Sequence, residues 1–334
     1  MADDERLTVA VTGPTGTFGF GLLPLLQAEP RVARVAGIAR RPFDPRQRGW
    51  TKMDYRRGDV RDPAALREAF RDADVVVHLA FLVISGSEET TRAVNVEGTL
   101  NAFRAAADAG ARRFVYASSV AAYGFHADNP VGMDEQWPVR PAERLFYARQ
   151  KAELEHLLRD EARAHPGTAL YLLRPPVVFG PHALGAKDLL PGPLARLTPL
   201  ALRVYDGAGR LPLRIPVAVP DMPLQFVHEE DVGRALLQCV VGAGPPGAYN
   251  IAGEGVLSTL DVARELGVRP VTVPALPARA AARALVRLPF LPRVAGWLEV
   301  ASRPAIMDTT RARTELGWRP RYSALEALRD TLRR

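Results

Sequence analysis

VTGPTGTFG, at residues 11–19, lies between an apolar run that predicts a strand over residues 7–12 and a helical pattern over residues 18–28. Its glycines at positions 13, 16 and 19 permit a tight turn and a close approach of the backbone to a pyrophosphate at the start of the helix. A glycine-rich turn by itself also fits an ordinary tight turn. Its placement between a first strand and a first helix is what favours a dinucleotide site.

The same alternation of strand and helix patterns continues outward from this turn through the first half of the chain. Alternation of this kind predicts an α/β fold, a Rossmann-type doubly wound parallel sheet, with a smaller mixed C-terminal substrate lobe. We expect the dinucleotide-binding domain to comprise residues 1–176 and 226–253, and the lobe residues 177–225 and 254–334. Further strands are predicted at residues 32–39, 75–80, 114–117, 169–173 and 248–251, and helices at residues 63–70, 91–109, 145–164 and 225–241.

Composition excludes several classes of protein. The chain has 334 residues, is 47% hydrophobic, and contains no run of about 18 uncharged apolar residues, so we expect no stable membrane insertion. The single cysteine, Cys239, speaks against a cysteine-rich metal site, and we expect no metal. The single cysteine, together with an acidic N-terminus that is unlike a signal peptide, favours a cytoplasmic location. The net charge of +7 comes from scattered arginines without interleaved aromatics, so we expect no nucleic-acid partner.

One basic and apolar segment, residues 278–300, has two interpretations. It could lie on a membrane surface, or it could form short helices packed in the smaller lobe. Pro289 and Pro292 interrupt it, which favours the packed helices.

The end of the second predicted strand bears on the choice of cofactor. Arg40 and Arg41 stand where an acid would bind the adenosine ribose of NAD, and the nearest acid, Asp44, comes later. Guanidinium groups bind phosphate bidentately, so this pair favours NADP, with NAD as the alternative. Asp59, in GDV at residues 58–60, is a candidate acceptor for the adenine amino group, and a turn residue is the alternative.

Tyr147 and Lys151 lie four residues apart on a predicted helix and therefore share one face. A tyrosine with a pKa of about 10 is a poor base at neutral pH, and a neighbouring ammonium lowers that pKa. The pair predicts an acid–base couple, and an ordinary surface pair is the alternative. At the end of a strand, Ser119 could hydrogen-bond a substrate oxygen, with Ser118 as the second candidate.

These segments, in this order, resemble the extended short-chain dehydrogenase/reductase family, which includes NAD(P)-dependent sugar-nucleotide epimerases and dehydratases. The resemblance covers nearly the whole chain. It rests on VTGPTGTFG (11–19), GDVRD (58–62), VVHLA (76–80), NVEGT (95–99), RFVYASSVAAYG (113–124), YARQK (147–151), LRPPVVFGP (173–181), FVHEEDVGRA (226–235), YNIAG (249–253) and ELGWRPR (315–321).

The resemblance implies a catalytic set of Ser119, Tyr147 and Lys151, with Lys151 also binding the nicotinamide ribose. It implies a homodimer that pairs the helices predicted at residues 91–109 and 145–164. It further implies cofactor contacts from Gly13, Gly16, Thr17, Phe18 and Gly19 to the pyrophosphate, from Asp59 and Val60 to the adenine, from Leu79, Ala80, Phe81 and Asn95 in the cleft, and from Pro175, Val177 and Val178 at the nicotinamide end.

Two departures from the family pattern bear on the reaction. Family dehydratases carry an acidic pair just after the catalytic Ser or Thr, whereas this chain has VAA at residues 120–122, so elimination lacks its base. Sugar-nucleotide enzymes usually carry an Arg-Asp before the late Phe-Val-His, where this chain has Leu224-Gln225. Arg203, Arg210 or Arg214 would have to substitute.

We therefore expect an NAD(P)-dependent oxidoreductase that transfers a hydride at a secondary alcohol or ketone carbon of a small molecule. An NAD(P)-dependent epimerase that works by transient oxidation would use the same residues. A non-catalytic cofactor-binding sensor is the alternative outside enzymes.

Overall fold

A seven-stranded parallel sheet forms the centre of the computed structural model, which describes residues 6–83, 88–142, 145–183, 216–273 and 303–333. In the strand order β11-β6-β5-β4-β1-β2-β3, strands β2 and β3 lie on one side of β1, and strands β4, β5, β6 and β11 lie on the other side, as in a doubly wound sheet. The strands are β1 (Leu7–Thr12), β2 (Val32–Ala39), β3 (Met53–Arg57), β4 (Val75–His78), β5 (Arg113–Ala117), β6 (Ala169–Arg174) and β11 (Gly247–Asn250).

Helices cover both faces of this sheet, and the hydrophobic core accordingly divides into two large clusters. On one face α1 packs against α6, and on the other α2 packs against α4 and α4 against α5. The helices are α1 (Thr17–Ala28), α2 (Pro63–Ala69), α3 (Glu88–Arg92), α4 (Gly98–Asp108), α5 (Phe146–Ala164), α6 (Glu229–Val241), α7 (Thr259–Glu265), α8 (Thr310–Thr314) and α9 (Ala324–Leu332). The predicted Rossmann-type fold is confirmed.

The contact between α1 and α6 depends on two glycines. A Cβ on Gly21 would lie 2.2 Å from the carbonyl oxygen of Glu229, and one on Gly233 would lie 2.1 Å from that of Gly21. Neither backbone could yield without separating the two helices. The glycines thus let α6 support α1 from behind, and the turn that precedes α1 is held in place.

Three local features differ from the sequence-based expectation. Strand β3 was not predicted, because it lies at the sheet edge and carries the polar residues Asp54, Arg56 and Arg57. The segment predicted as a helix from residue 225 begins with a strand, Phe226–His228, and becomes helical only at Glu229. The helix predicted over residues 91–109 starts at Glu88 and contains a π-helical turn, Ala93–Glu97.

Three two-stranded sheets lie outside the central one. They pair β7 (Val177–Phe179) with β10 (Phe226–His228), β9 (Pro223–Leu224) with β12 (Leu257–Ser258), and β8 (Pro216–Pro220) with β13 (Arg269–Val273). The basic apolar segment at residues 278–300 lies outside the described residues. In the part of the chain that is described, none of the helices is both long and apolar enough to cross a bilayer.

Candidate active site

The predicted site residues gather at the edge where the parallel strands have their carboxyl ends. Strands β1, β4 and β5 are neighbours in the sheet, and they end at Thr12, His78 and Ala117. The segments that follow them are the glycine-rich turn, the Leu79–Phe81 segment and the Ser118–Ser119 pair. Ligands of open α/β sheets bind at this edge, so the topology brings the candidate cofactor turn beside the candidate catalytic residues.

The glycine-rich turn has the shape of a phosphate cradle. Gly13 has a φ of +66°, and a Cβ there would lie 2.9 Å from the amide nitrogen of Ala80. A Cβ on Gly19 would lie 2.0 Å from the carbonyl oxygen of Pro14. The Cβ direction of Gly16 is open, with its nearest neighbour at 3.5 Å, and Gly16 begins α1 without a side-chain cap or an acid in the first turn. An open, uncapped helix start fits a pyrophosphate.

A buried chain of hydrogen bonds braces the cleft beneath this turn. The Thr12 Oγ1 lies 2.9 Å from Nδ1 of His78, and the Thr99 Oγ1 lies 3.0 Å from its Nε2. Burial, together with the charge of Lys151, lowers the pKa of His78 to about 3, so the imidazole is neutral. Since Thr99 donates to the carbonyl oxygen of Asn95, the network is satisfied with the proton of His78 on Nε2.

The side chain of Asn95 joins the segment after β4 to helix α5. Its side chain accepts from the amide of Leu82 at 2.7 Å and donates to the carbonyl of Leu82 at 2.9 Å and to Oε1 of Gln150 at 2.8 Å. The side chain is fully buried, and it sits in the π-helical turn Ala93–Glu97. Such turns are frequent at functional sites because they redirect a side chain. Here the turn aims Asn95 at the segment after β4.

Tyr147 and Lys151 lie close to Ser119 in the structure. Tyr147 and Ser119 share a side-chain hydrogen bond. Lys151 Nζ donates to the hydroxyl of Tyr116 at 3.0 Å and to the carbonyl oxygen of Ala117 at 2.7 Å, and it lies 5.8 Å from the ring centre of Tyr147. The lysine therefore bridges the catalytic helix α5 to the end of β5, directly beside the serine pair.

The protonation states of the pair differ from the expectation that the lysine lowers the tyrosine pKa. Burial raises the pKa of Tyr147 above its usual value, and the hydrogen bond with Ser119 offsets this only in part. Burial also places the pKa of Lys151 well below its usual value, against the opposing charge of Glu155. Desolvation outweighs the charge–charge effect here, so Tyr147 is a neutral phenol in the cofactor-free protein.

The two serines point to different surroundings. Ser118 donates to Oε1 of Glu155 at 2.6 Å, inside the core. Glu155 in turn pairs with Arg174 through Nε at 2.8 Å and Nη2 at 2.6 Å, and both side chains are fully buried. Ser119 instead accepts from the amide of Ala121 and contacts Tyr147. Ser118 is thus part of the internal scaffold, and Ser119 is the serine that contacts the tyrosine.

The adenosine end of the cleft is rich in arginine. Arg40 and Arg41 are both exposed after β2. Asp59 is engaged by Arg61, at 2.7 Å between Oδ2 and Nη2, and this hydrogen bond lowers the pKa of Asp59. Val60 is 7% exposed, and its side chain packs toward Gly98 of α4.

The nicotinamide-end candidates line the start of β7. The carbonyl oxygen of Pro175 accepts from the amide of Val120 at 2.9 Å, which ties β6 to the serine turn. Val177 is 39% exposed, one of the more exposed large apolar side chains described, and Val178 is half-buried.

Sequence reasoning missed several members of this site. Glu155 follows Lys151 by one helical turn, so the same four-residue spacing that identified the Tyr–Lys pair could have found it. Arg174, Tyr116 and His78 carried no such local signal, because their partners lie 19 to 66 residues away along the chain. Within the described ranges, no group of three or more His, Cys, Asp or Glu side chains is arranged to hold a metal ion.

Known proteins resemble this chain in sequence, and solved structures resemble it in fold. An uncharacterised protein of Mycobacterium tuberculosis is 29% identical over 97% of this chain and 83% of its own length. Sterol demethylase protein B of Methylococcus capsulatus is 34% identical over 52% of each chain. Among solved structures, UDP-glucose 4-epimerase from Thermotoga maritima has a TM-score of 0.72 at 20% identity and covers 98% of both chains. The dTDP-glucose 4,6-dehydratase DesIV from Streptomyces venezuelae has a TM-score of 0.70 at 22% identity, over 98% of this chain and 96% of its own.

A family model decides the assignment. The model of the NAD dependent epimerase/dehydratase family matches residues 9–252, which include the glycine-rich turn, the serine pair and the Tyr–Lys helix. The structural neighbours at these identities show the fold, and the family match adds the cofactor class. The chain is therefore an NAD(P)-dependent enzyme of the extended short-chain dehydrogenase/reductase type and belongs to the NAD dependent epimerase/dehydratase family.

Proposed function

We propose that the chain is a ketoreductase or dehydrogenase that transfers a hydride at a secondary alcohol or ketone carbon. The observation that carries this proposal is that Lys151 and Tyr147 of α5 meet the end of β5 beside Ser119, where Lys151 donates to the carbonyl oxygen of Ala117 and burial keeps Tyr147 a neutral phenol. A neutral phenol in contact with a second hydroxyl is suited to donate a proton to a developing alkoxide.

When bound, the nicotinamide cofactor supplies or accepts the hydride. In the reductive direction Tyr147 protonates the substrate oxygen, and Ser119 donates a hydrogen bond to the same oxygen. Lys151 contributes positive charge behind Tyr147 and a donor for the nicotinamide ribose. In the reverse direction Tyr147 accepts the hydroxyl proton of the alcohol, and the positive charge of an oxidised nicotinamide would favour this step by lowering the pKa of Tyr147.

The surroundings of Ser119 argue against elimination as the reaction. Val120, Ala121 and Ala122 form a buried 3₁₀ turn directly after it, with at most 8% of any of these side chains exposed. None of them can remove a proton. The carboxylate of Glu135 accepts the backbone amide of Asn250 at 2.7 Å and is committed to that contact. Hydride transfer is the chemistry that this set of side chains supports.

For the cofactor, we propose NADP rather than NAD. Arg40 and Arg41 are exposed at the end of β2, and Asp44, the next acid, accepts the amide of Arg46 as the cap of a 3₁₀ turn. Two exposed guanidinium groups at this strand end suit a ribose 2′-phosphate. Binding isotherms for both cofactors test this, with Arg40→Ala as the variant: tighter binding of NAD than of NADP by the wild type contradicts the proposal.

For the substrate, we propose a weakly charged carbonyl or alcohol compound. The smaller lobe is broken by prolines and largely apolar in sequence, and one relative with 34% identity over half the chain carries the name sterol demethylase protein B. The arginines that could hold a nucleotide phosphate, Arg203, Arg210 and Arg214, lie outside the described residues. Because prolines break the sequence of these segments, we also propose that residues 177–225 and 254–334 form the substrate lobe, and that residues 1–176 and 226–253 form the dinucleotide-binding domain.

An epimerase remains the second candidate, because the matched family is named for epimerases and the same Tyr147–Ser119 pair would serve oxidation and re-reduction in turn. Incubation of substrate without added reductant separates the two. Inversion of a stereocentre with no net cofactor consumption supports the epimerase and contradicts net oxidoreduction.

Tyr147→Phe tests the catalytic assignment itself. A screen of carbonyl and sugar-nucleotide compounds by cofactor absorbance identifies a substrate, and turnover of the variant is then compared with the wild type. We expect a loss of roughly 10²- to 10⁴-fold with cofactor affinity retained. Undiminished turnover refutes the role of Tyr147, and binding of cofactor without turnover of any compound favours the sensor.

We also propose a homodimer that pairs the helices predicted at residues 91–109 and 145–164. Within one chain, Arg92 of α3 pairs with Glu153 of α5 at 2.7 Å, and Arg104 of α4 pairs with Glu161 of α5. Sedimentation equilibrium tests this, and a monomer at micromolar concentration contradicts it.

A further inference from the structure

Lys151 is buried among groups that attract a cation without carrying a full negative charge. Its Nζ donates to the hydroxyl oxygen of Tyr116 at 3.0 Å and to the carbonyl oxygen of Ala117 at 2.7 Å. It also lies over the rings of Phe81 and Tyr116, at 3.7 and 4.6 Å from their centres. A carbonyl oxygen can only accept, and the face of an aromatic ring attracts positive charge. These surroundings suit an ammonium better than a neutral amine.

The titratable groups that act on Lys151 in the described part of the chain belong to three elements. They are Tyr147 and Glu155 on α5, Tyr116 on β5 and His78 on β4. Burial raises the pKa of both tyrosines and lowers that of His78 to about 3, so these three groups are uncharged. Burial also lowers the pKa of Lys151 well below its usual value, and the negative charge of Glu155 opposes this effect.

Arginines share the charge of Glu155, whereas the hydroxyl of Tyr116 acts on Lys151 directly. Glu155 pairs with Arg174 at 2.6 Å and with Arg159 at 2.8 Å. These ion pairs reduce the field that Glu155 exerts on Lys151. Tyr116 is only 1% exposed and Lys151 only 3%, so bulk water does not reach their hydrogen bond. Tyr116 is therefore the side chain with the most direct effect on the lysine.

Resting on the proposed function, in which Lys151 supplies positive charge behind Tyr147, we propose that Tyr116 is a positioning residue of the active site: its hydroxyl fixes Lys151 Nζ beside the end of β5 and keeps it an ammonium at neutral pH. A hydrogen bond to the charged form of a group favours that form. Without the hydroxyl, one N–H of a buried ammonium loses its acceptor, and the neutral amine becomes more favourable.

Tyr116→Phe removes the hydroxyl and keeps the ring. Converted at the free energy of one pKa unit, a hydrogen bond to a charged group corresponds to about one to two units. We therefore expect this variant to lower the pKa of Lys151 by about one to two units. Tyr171→Phe is the matched control, because Tyr171 lies on the neighbouring strand β6, is 3% exposed and donates to the carbonyl oxygen of Gly244 at 2.8 Å. We expect the control to leave the pKa of Lys151 unchanged.

The composition of the chain makes the pKa of Lys151 measurable by nuclear magnetic resonance. Lysine occurs only at positions 52, 151 and 187, so the full-length protein with lysine labelled at Cε gives three sets of signals. Lys151→Met identifies the signal of Lys151, and titration of the Cε shift gives its pKa. Lys52, whose Nζ donates to the carbonyl oxygen of Glu29 at 2.7 Å, is the internal reference. In the wild type we expect Lys151 to be protonated at neutral pH.

The second readout is the pH dependence of NADPH binding, measured by titration calorimetry. Affinity should fall as the pH rises through the pKa of Lys151, because the lysine loses its charge. In Tyr116→Phe this fall should begin about one to two pH units lower, whereas Tyr171→Phe should follow the wild type. A purely structural role of Tyr116 would weaken binding equally at every pH. The same titrations with 2′,5′-ADP, which lacks the nicotinamide ribose, account for pH effects elsewhere in the cleft.

The outcomes separate the role of Tyr116 from the proposed function. A wild-type Lys151 that is a neutral amine at neutral pH, or a Lys151 pKa that is unchanged in Tyr116→Phe, overturns the role of Tyr116. An equal decrease in Tyr171→Phe also overturns it, because any lost buried hydroxyl would then have the same effect. A lowered pKa without a change in the pH dependence of NADPH binding overturns the role of Tyr116 in the active site.

A wild type that binds neither NADPH nor NADH at any pH contradicts the proposed function. The lysine titration needs no cofactor, so it still decides whether Tyr116 holds the ammonium.

Discussion

Removing the carboxylate of Glu155 should destabilise the protein far more than removing a surface carboxylate from the same helix. Glu155 accepts hydrogen bonds from Ser118 at 2.6 Å, from Arg174 at 2.8 and 2.6 Å, and from Arg159 at 2.8 Å. Glu155→Gln keeps the shape, leaves Arg174 as a buried charge without its counter-ion, and turns one acceptor into a donor. Breaking a buried pair in this way costs about 3–5 kcal/mol.

The matched control is Glu153→Gln, which removes the exposed partner of Arg92 from the same helix α5. Both side chains of that pair are largely solvated, at 51% and 36% exposure, and a pair of this kind contributes about 0–1 kcal/mol. Urea unfolding followed by circular dichroism gives both free energies, and thermal melts should show Glu155→Gln roughly 4–7 °C below the wild type. Equal costs for the two variants would refute the reasoning.

The pH dependence gives the same prediction a second check. Burial acts to raise the pKa of Glu155, but the pairing with Arg174 outweighs it and the pKa is lowered in the folded chain. A carboxyl with a depressed folded pKa stabilises the protein above its unfolded pKa of about 4.3, and this contribution is lost as the pH falls through the folded value. The difference between the wild type and Glu155→Gln should therefore be complete at neutral pH and shrink only below pH 4.

Three further outcomes follow from the site. Ser119→Ala should lower turnover by roughly 10²- to 10³-fold with little change in melting temperature. Ser118→Ala should lower the free energy of unfolding by about 1–3 kcal/mol, because the buried Glu155 carboxylate loses one of its hydrogen bonds. Steady-state kinetics and urea titration on both variants distinguish them, and equal kinetic losses would contradict the division of roles. Gly16→Ala should fold normally and bind cofactor more weakly, whereas Gly19→Ala should melt well below the wild type because its Cβ would lie 2.0 Å from a carbonyl oxygen. Differential scanning fluorimetry with and without cofactor checks both expectations. An unchanged melting temperature for Gly19→Ala would rule out the close contact. Because His78 has a pKa of about 3 in the fold and about 6.5 unfolded, the free energy of unfolding should decline as the pH falls from 6.5 toward 3, and His78→Gln should flatten that decline in urea titrations at stepped pH.

Local sequence patterns identified the candidate site residues that belong to a single helix or a single turn. The four-residue spacing placed Tyr147 and Lys151 on one helical face, and the glycines at 13, 16 and 19 predicted the turn between β1 and α1. The edge strand β3 escaped prediction, because a strand with one solvated edge tolerates polar residues that resemble a loop. The π-helical turn that aims Asn95 also escaped, since one extra residue in a helical turn leaves the apolar period almost unchanged.

What the sequence by itself determined is the α/β architecture, the cofactor turn and the Tyr147–Lys151 pair, because periodicity and glycine geometry act over a few residues. Only the tertiary structure decided which serine contacts Tyr147 and what surrounds Lys151. Those answers depend on the order of the strands, which brings Phe81 from the end of β4 and Tyr116 from β5 against the helix α5. Contacts between residues tens of positions apart are set by packing and burial, and burial is also what raises the pKa of Tyr147 where the chain alone suggested a lower one.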